Sequence, residues 1–171
     1  QELASITPGT HMLQANVKQI KENVEHEPYL EVISVSKKLP KTIRIEVAER
    51  QPKAIIVYTN HYLLADEDAI VLEALTARPE QHYPLVEGIA VNDVVMGQQI
   101  GSDEGFKITV MGEILKELET KDLFSLIEQI DLSNISNIEL MSTDGLSILF
   151  GQGDKISEKM TWIQNRLPAL V

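Results

Sequence analysis

The sequence lacks cysteine altogether, since none occurs among its 171 residues. This absence excludes disulfide bonds, thiolate metal sites and a cysteine nucleophile, although it leaves the cellular compartment open. Histidine is scarce as well, and we assign no histidine a carboxylate or second histidine as a partner at metal-ligand spacing. The four histidines are His11, His26, His61 and His82. We therefore expect no metal site and no cofactor.

Basic residues are fewer than acidic residues. Lysine and arginine total 15 against 26 aspartates and glutamates, which gives a formal net charge of −11. Such a surface repels the phosphate backbone of nucleic acids and the anionic headgroups of a membrane, so we expect neither as a direct ligand. No apolar run approaches the ~20 residues of a membrane-spanning helix, and no secretory signal is visible. If the chain works outside the cytoplasm, we expect its anchoring segment to lie upstream.

Recognisable catalytic motifs are also lacking. Ser147 lies in a predicted strand rather than in a G-x-S-x-G elbow, and the glycines at 97, 101 and 105 match no phosphate-binding loop. The acidic group at 66–68 lacks the alternating oxygen ligands of a calcium loop, so we interpret it as a solvated hairpin turn. Carboxylates could still meet in three dimensions, but the sequence singles out no pair. No catalytic residue is predicted, and a docking protein is favoured over an enzyme.

A helix and two strands are predicted in the first 50 residues. Apolar residues recur at helical spacing at Leu13, Val17, Ile20 and Val24. Asn16 or an upstream threonine is the expected N-cap, and the helix must end before Pro28 because a residue preceding proline is pushed out of the helical region. Alternating β-branched residues predict strands at 30–36 and 42–49.

Short strands and two helices are predicted in the remainder. The strand predictions are 53–58, 62–65, 69–72, 84–89, 126–132, 137–143 and 146–151, with a hairpin at Asp144-Gly145. One helical stripe comprises Phe106, Val110, Ile114 and Leu118, and another comprises Ile156, Met160, Ile163 and Leu167. We expect Ser102 and Asp103 to cap the first of these helices and Asp154 to cap the second.

Residues 28–54, PYLEVISVSKKLPKTIRIEVAERQPKA, carry a specific pattern. A strand is followed by a basic turn ending in proline, a second strand and Glu-Arg-x-Pro-x-Ala. The pattern resembles the POTRA module of the FtsQ/DivIB family of bacterial division proteins, with Pro40, Glu49, Arg50, Pro52 and Ala54 as its motif residues. The resemblance implies an α+β fold, with a POTRA-type α/β module at 1–53. A mixed β-sheet domain with flanking helices would follow at 54–171.

The resemblance covers nearly the whole chain, with some departures. Residues 138–167 resemble the family's late hairpin and C-terminal helix, and 84–89 resemble its P-x-L/V-x-G element. Ala69 stands where the family usually has a glycine, so we expect a differently built turn. The first POTRA strand, the final strand of the β domain and the membrane anchor are apparently missing. We therefore expect a fragment of a longer single-pass membrane protein.

The segment from Glu49 to Pro52 is predicted to link the two modules. Proline removes a ladder donor, so the POTRA strand cannot simply continue through Pro52. Glu49 and Arg50 could pair at the boundary, where an exposed ion pair contributes only ~0–1 kcal/mol. We expect such a pair to set the angle between the modules more than it adds stability. The alternative is that Glu49 and Arg50 are merely solvated.

The resemblance implies a non-enzymatic scaffold of the bacterial division machinery at the septum. An N-terminal helix absent from this chain would anchor it on the outer side of the plasma membrane. Its partners would be the bitopic FtsB/DivIC-type and FtsL-type division proteins. An FtsB/DivIC-type segment would add as a strand near the C-terminal end of the β domain.

Candidate partner-binding residues lie in the last hairpin and helix. They are Ile138, Leu140, Leu146, Ile148, Phe150 and Trp162. Each could instead pack in the core, and at least half of the strand residues are expected to face inward. The alternative function is that of a POTRA protein of outer-membrane assembly or polypeptide secretion. Those proteins carry tandem POTRA modules, whereas this chain has one.

Overall fold

A computed structural model describes residues 16–38, 40, 42–80 and 83–169 of the chain. The chain divides into two compact units, Gln1–Gln51 and Pro52–Val171, and each has its own hydrophobic cluster. Leu13, His11 and His82, which entered the sequence predictions, lie outside the described residues.

The first unit packs one helix on an antiparallel pair of strands. Its elements are α1 (Val17–Glu25), β1 (Leu30–Lys38) and β2 (Thr42–Glu49). Asn16 caps α1 as predicted, because its Oδ1 accepts a hydrogen bond from the N–H of Lys18 at 3.0 Å. Ile20 and Val24 on α1 are buried against Val32 of β1. The helical spacing and the strand alternation thus meet in one small core.

The second unit is built on a seven-stranded mixed sheet. Its strands are β3 (Ala54–Tyr58), β4 (His61–Ala65), β5 (Val71–Leu75), β6 (Leu85–Glu87), β7 (Ile127–Asp131), β8 (Ile138–Ser142) and β9 (Ser147–Gly151). Their order across the sheet is β5-β4-β3-β6-β7-β8-β9. β6 runs parallel to both of its neighbours, and the other pairs are antiparallel. The predicted α+β class with a mixed sheet is therefore confirmed.

Two helices supply the other side of the core of this unit. They are α2 (Gly105–Thr120) and α3 (Ile156–Arg166), which contact each other. All four residues of the predicted C-terminal stripe are buried. Phe106, predicted to begin the stripe of α2, is instead 64% exposed, and the buried face starts at Ile108. Because α2 begins at Gly105, Phe106 stands at the helix end rather than over the core.

The predicted caps of α2 and α3 are wrong. The N-cap positions are Glu104 and Lys155, and neither makes a side-chain cap hydrogen bond. Ser102 accepts a hydrogen bond from the N–H of Glu104, and Asp154 is paired with a lysine. A cap must directly precede the first helical residue. The predicted residues stand one to two positions too early, because both helices begin later than expected.

The turn between β4 and β5 is not simply solvated. Asp66 is only 3% exposed, and its Oδ1 accepts hydrogen bonds from the N–H groups of Asp68 (3.0 Å) and Ile70 (2.9 Å). The solvated interpretation holds for Glu67 and Asp68 alone, which are exposed. Ala69 has a φ of 59°, the left-handed conformation that glycine adopts most readily. The buried carboxylate of Asp66 supports this strained turn from within.

Candidate partner-binding edge

Among the described strands of the seven-stranded sheet, β5 and β9 lie at the two borders, and they differ in protection. The N–H of Val71 in β5 donates to the carbonyl of Gln98 (2.9 Å), and the N–H of Gly97 donates to the carbonyl of Val71 (2.8 Å). A loop of the chain itself therefore covers part of that border. β5 also carries the charged, exposed Glu73, and charges discourage pairing with a further strand.

β9 presents open backbone groups on its outer side. The N–H of Ser142 donates to the carbonyl of Leu146 at 2.9 Å, so this pair is hydrogen-bonded. Hydrogen-bonded and non-bonded pairs alternate along antiparallel strands, so Ile148 bonds to β8, whereas Ser147 and Leu149 point their N–H and C=O groups away from β8. Outside the pairing of β8 with β9, no backbone bond joins Ser147 or Leu149 to another described residue. The register of β8 and β9 shifts between Ile138 and Glu139, next to the pair of Glu139 with Leu149. Two donors and two acceptors are thus available to another strand.

The sequence of β9, Ser-Ile-Leu-Phe-Gly, contains no charged residue and no proline. Natural border strands are usually blunted by lysine, proline or inward-pointing charge. β1 and β2 in the first unit follow that rule, with residues such as Lys37 and Arg44. Among the described border strands, β9 alone lacks this protection, and its Leu149 is 74% exposed.

The structure divides the predicted partner-binding residues between core and surface. Ile138, Leu140 and Phe150 are buried in the core of the second unit, where they pack beneath the sheet. Ile148 is partly buried against the same core. Their side chains shape β8 and β9 and do not face solvent, because alternation turns them toward the helices.

Leu146 and Trp162 are the predicted residues that face solvent. Leu146, in the turn before β9, is 38% exposed, and Trp162 on α3 is 61% exposed. The guanidinium carbon of Arg166 lies 5.5 Å from the centre of the Trp162 ring, within cation–π range. Their part in binding stays a prediction.

Lys159 brings α3 close to the end of β9. Its Nζ lies 5.0 Å from the centre of the Phe150 ring and donates hydrogen bonds to the carbonyl of Gln152 (2.6 Å) and to Asp154 (2.8 Å). The hydrogen bond from Lys159 holds the pKa of the Asp154 carboxyl below its ordinary value. Trp162 lies three residues after Lys159, so the two are neighbours on the helix surface. The helix side of the β9 border therefore carries an aromatic ring and cationic groups.

Sequence reasoning missed Leu149 and Met141. Met141 is 41% exposed and is paired with Ser147, so it lies on the same sheet face as Leu149. The signal was available, because two-residue alternation places these odd-numbered positions opposite Leu140, Ile148 and Phe150. The sequence alone does not say which of the two alternating sets is buried, since both are apolar.

The five motif residues lie in the first unit and at the start of the second unit. Pro40 lies exposed in the turn between β1 and β2, and Glu49 ends β2. The N–H of Arg50 donates to the carbonyl of Tyr29 at 2.8 Å, within the first unit. Pro52 opens the second unit, and Ala54 is fully buried at the start of β3.

An open groove of about 510 Å³ lies beside α2. Its charged lining includes Lys53, Lys116, Glu113 and Glu119, with Lys53 paired to Glu119. The described lining residues include no histidine, serine or cysteine that could act as a nucleophile or base. The lining is mostly charged, and one ion pair, between Lys53 and Glu119, is recorded within it.

The described residues contain no cluster of three histidine, cysteine, aspartate or glutamate side chains arranged to hold a metal ion. None of the described helices combines the length and the apolar character that crossing a membrane requires.

Comparison with known proteins identifies the relationship. A family model described as "POTRA domain, FtsQ-type" matches residues 1–50. The cell division protein DivIB of Clostridium botulinum strain Hall is 23% identical over 169 residues, which cover 98% of this chain and 65% of that protein. The cell division protein FtsQ of Geotalea daltonii is 27% identical over 156 residues, covering 90% of this chain and 55% of that protein. The resemblance to the FtsQ/DivIB family is confirmed.

This chain spans about two thirds or less of the length of these FtsQ and DivIB proteins. Among solved structures, the major extracytoplasmic domain of DivIB from Geobacillus stearothermophilus matches with a TM-score of 0.47 and 16% sequence identity. That match covers 72% of this chain and 92% of the solved domain.

Proposed function

We propose that this chain is part of a cell-division protein of the FtsQ/DivIB kind, which acts as a scaffold and catalyses no reaction. It works on the extracytoplasmic side of the plasma membrane at the division septum, held there by a single membrane-spanning helix. It links bitopic division proteins of the FtsB/DivIC and FtsL types. The names of its relatives, cell division proteins DivIB and FtsQ, support this setting.

The open border of β9 is the single observation that supports the binding mode. A partner segment adds there as an eighth strand of the sheet and bonds to the outward backbone groups of Ser147 and Leu149. Strand addition needs an uncharged border with free donors and acceptors, and among the described residues β9 offers such a border. The opposite border at β5 is partly covered by the loop at Gln98.

Backbone bonds alone are too weak for a stable complex. Four such bonds contribute roughly 2–6 kcal/mol, at about 0.5–1.5 kcal/mol each. A micromolar complex requires about 8 kcal/mol. Exposed apolar side chains beside the border must supply the rest, and aromatic residues are the usual anchors. The exposed apolar groups of this region include Leu149, Leu146, Met141 and Trp162.

The two units have different roles in this proposal. The POTRA module at 1–53 contributes to septal targeting, and the β domain at 54–171 carries the partner-binding border. Glu49, Arg50 and Pro52 belong to the segment that links the two, with Pro40 and Ala54 as further members of the same motif. Proline interrupts strand pairing in this segment, because it fixes φ and removes a donor.

A proline substitution at position 149 tests the strand addition. In Leu149→Pro the outward N–H is lost and the ring occupies its place, while the bonds from β9 to β8 remain, so the border strand is preserved. Leu149→Ala is the matched control, because it removes the side chain and keeps the N–H. With the purified extracytoplasmic segment of an FtsB/DivIC-type protein from the same organism, calorimetry should show weakened binding to Leu149→Ala and none to Leu149→Pro.

Hydrogen exchange gives a second measurement that needs no variant. Partner binding should slow exchange of the Ser147 and Leu149 amides strongly and that of Ile148 much less, since the Ile148 N–H already bonds to β8. Equal binding of the proline and alanine variants, or unchanged exchange at Ser147 and Leu149, would sink the proposal.

A further inference from the structure

The net charge of the chain is divided unequally between its two units. The first unit, Gln1–Gln51, has seven basic and seven acidic residues, and the second, Pro52–Val171, has eight basic and 19 acidic residues. The first unit is therefore neutral, and the whole net charge of −11 belongs to the second. The expectation that anionic lipids are not a direct ligand came from the charge of the whole chain. It applies to the second unit and leaves the first unit open.

Basic residues of the first unit gather at the turn between β1 and β2. Residues 32–45 contain four basic residues and no acidic residue. Three of the four, Lys37, Lys38 and Arg44, are described by the structure, and all three are exposed. The fourth, Lys41, lies outside the described residues. We call Lys37, Lys38 and Arg44 the basic hairpin end.

The register of the hairpin places these cations on both of its faces. Ser36 pairs with Arg44, and Lys38 pairs with Thr42. Directly paired residues share a face, as do residues two apart along a strand, so Lys38 and Arg44 are diagonal neighbours roughly 7–8 Å apart. Lys37 follows Ser36 and belongs to the opposite face. The positive charge therefore surrounds the end of the hairpin and lines no pocket.

The acids that the structure describes do not neutralise the basic hairpin end. Lys18 and Lys21 on α1 each form an ion pair with a glutamate one turn later, at 3.6 Å. No described acid forms an ion pair with a member of the basic hairpin end. Glu46, which shares the face of Arg44, instead accepts a hydrogen bond from the Oγ of Ser34 at 2.7 Å. Three exposed cations can thus meet an external anion.

We infer that the basic hairpin end docks on an anionic lipid surface, the headgroups of the membrane to which the chain is proposed to be anchored. This inference rests on the proposed membrane location of the chain. A lipid surface suits the arrangement, because it presents phosphates over a wide area to cations that point in several directions. The same headgroups repel the acidic second unit, so the docking is specific to the first unit.

The anchor makes so small a charge cluster effective. Each lysine or arginine near an anionic membrane strengthens binding by about fivefold, so three or four of them give only a weak contact on their own. An anchored chain cannot diffuse away, and docking becomes an intramolecular step at high effective concentration. The cluster therefore orients a chain that is already held at the membrane and does not recruit a free one.

A tethered-vesicle experiment tests the inference. The chain carries an N-terminal hexahistidine tag, which holds it on vesicles that contain a small share of nickel-chelating lipid. Since the chain has no cysteine, Pro40→Cys provides a single site for an environment-sensitive fluorophore in the exposed turn. Its emission should shift to shorter wavelength on vesicles rich in phosphatidylglycerol and stay unchanged on phosphatidylcholine. The same label at Ser136→Cys, exposed in the second unit, should shift on neither.

Two matched double variants separate the local cluster from the overall charge. Lys38→Gln/Arg44→Gln and Lys18→Gln/Lys21→Gln each remove two positive charges from the first unit. The first should lower the ratio of docked to undocked chain by about 25-fold, and the second by much less. The exchange variant Lys38→Arg/Arg44→Lys keeps the charge and should dock like the wild type, because a lipid surface demands no fixed geometry. Thermal melts confirm that each variant keeps the fold.

Three results would overturn the inference. Equal losses in the two double variants would trace docking to overall charge, and a loss in the exchange variant would indicate a ligand of fixed geometry. An equal shift of the label at position 40 on phosphatidylcholine vesicles with added polyglutamate would replace the lipid with an acidic protein segment. No shift on phosphatidylglycerol would leave the cations as protection of the strand borders.

Failure of the inference can be told from failure of the proposed scaffold. Lys38→Gln/Arg44→Gln should bind the FtsB/DivIC-type segment as the wild type does, and Leu149→Pro should dock on phosphatidylglycerol as the wild type does. Partner binding without lipid docking overturns the inference and leaves the scaffold standing. Lipid docking without partner binding has the opposite meaning. Loss of partner binding in Lys38→Gln/Arg44→Gln would assign these cations to the partner and overturn the inference.

Discussion

The carbonyl oxygen of Glu67 lies 2.6 Å from the position that a Cβ atom on Gly112 would occupy. Helix α2 thus meets the turn between β4 and β5 at a residue without a side chain. We expect Gly112→Ala to lower the free energy of unfolding by about 1–3 kcal/mol, because overpacking shifts the backbone. The loss should appear even though alanine favours a helix by roughly 1 kcal/mol. Urea unfolding followed by circular dichroism measures it.

Gly105→Ala is the matched control for this variant. It lies in the same helix, and a Cβ there would meet no atom within 4 Å. Its stability should equal or exceed that of the wild type. If the two alanine variants unfold at the same urea concentration, α2 does not approach the turn as closely as described.

The buried carboxylate of Asp66 should stabilise the strained turn. Asp66→Ala would leave the partly buried N–H groups of Asp68 and Ile70 without their acceptor, and each lost hydrogen bond costs about 0.5–1.5 kcal/mol. Asp66→Asn keeps a carbonyl oxygen at the same place and should lose less. Thermal melts of the two variants test this order, and an alanine variant as stable as the asparagine variant would contradict it.

Glu104 should make stability depend on pH. The N–H of Ala90 donates to its Oε2, and this bond, with Lys107 next in importance, lowers the pKa of Glu104 below its ordinary 4.5. A lowered folded-state pKa adds stability above the unfolded pKa, and that stability is lost as pH falls through the folded pKa. The melting temperature of the wild type should therefore exceed that of Glu104→Gln at neutral pH. The gap should close below pH 4.5.

Glu113→Gln serves as the pH control, because Glu113 is an exposed glutamate on the same helix. Its melting temperature should follow that of the wild type across the whole range. A gap between the wild type and Glu104→Gln that stays constant down to pH 2 would show that the Ala90 hydrogen bond does not depend on the charge.

Trp162 should report partner binding, because it is the single tryptophan of the chain and is 61% exposed. In the free chain we expect emission typical of an indole in water and ready quenching by acrylamide. Addition of the FtsB/DivIC-type segment should shift the emission to shorter wavelength and reduce quenching, since the partner removes water from the ring. The Leu149→Pro variant should show no shift. Tight binding with unchanged emission would place Trp162 outside the interface.

Local patterns predicted most of the secondary structure. The alternation around Asp144-Gly145 predicted the hairpin of β8 and β9, and helical spacing predicted α3. These patterns are predictive because each depends on residues a few positions apart. Such residues are close together in space regardless of how the remainder of the chain folds. The cap predictions were wrong because the patterns locate a helix but not its first residue. A cap depends on the exact first residue of a helix, and stripes of apolar residues locate that only within a few positions.

The proposed binding border could be predicted only in part. The motif at 28–54 pointed to the family, and the hairpin at 138–151 pointed to the part of the sheet where we propose that a partner binds. The direction of the side chains within the hairpin was not predictable. Leu149 and Phe150 are both apolar, and neither of the two alternating sets of residues in β9 contains a charged side chain. Only packing of α3 on the sheet decides that Phe150 is buried and Leu149 is exposed.

By itself, the sequence determined the absence of thiol chemistry, the negative charge, the order of helices and strands and the family resemblance, since all of these are local or compositional. The tertiary structure decided which strand borders the sheet. β6 enters between β3 and β7 from a distant part of the chain, and the loop at Gln98 covers β5. It also aligned Glu87, Asp131 and Glu139 with Leu149. Such contacts depend on pairing between residues far apart in sequence, and no local pattern encodes that register.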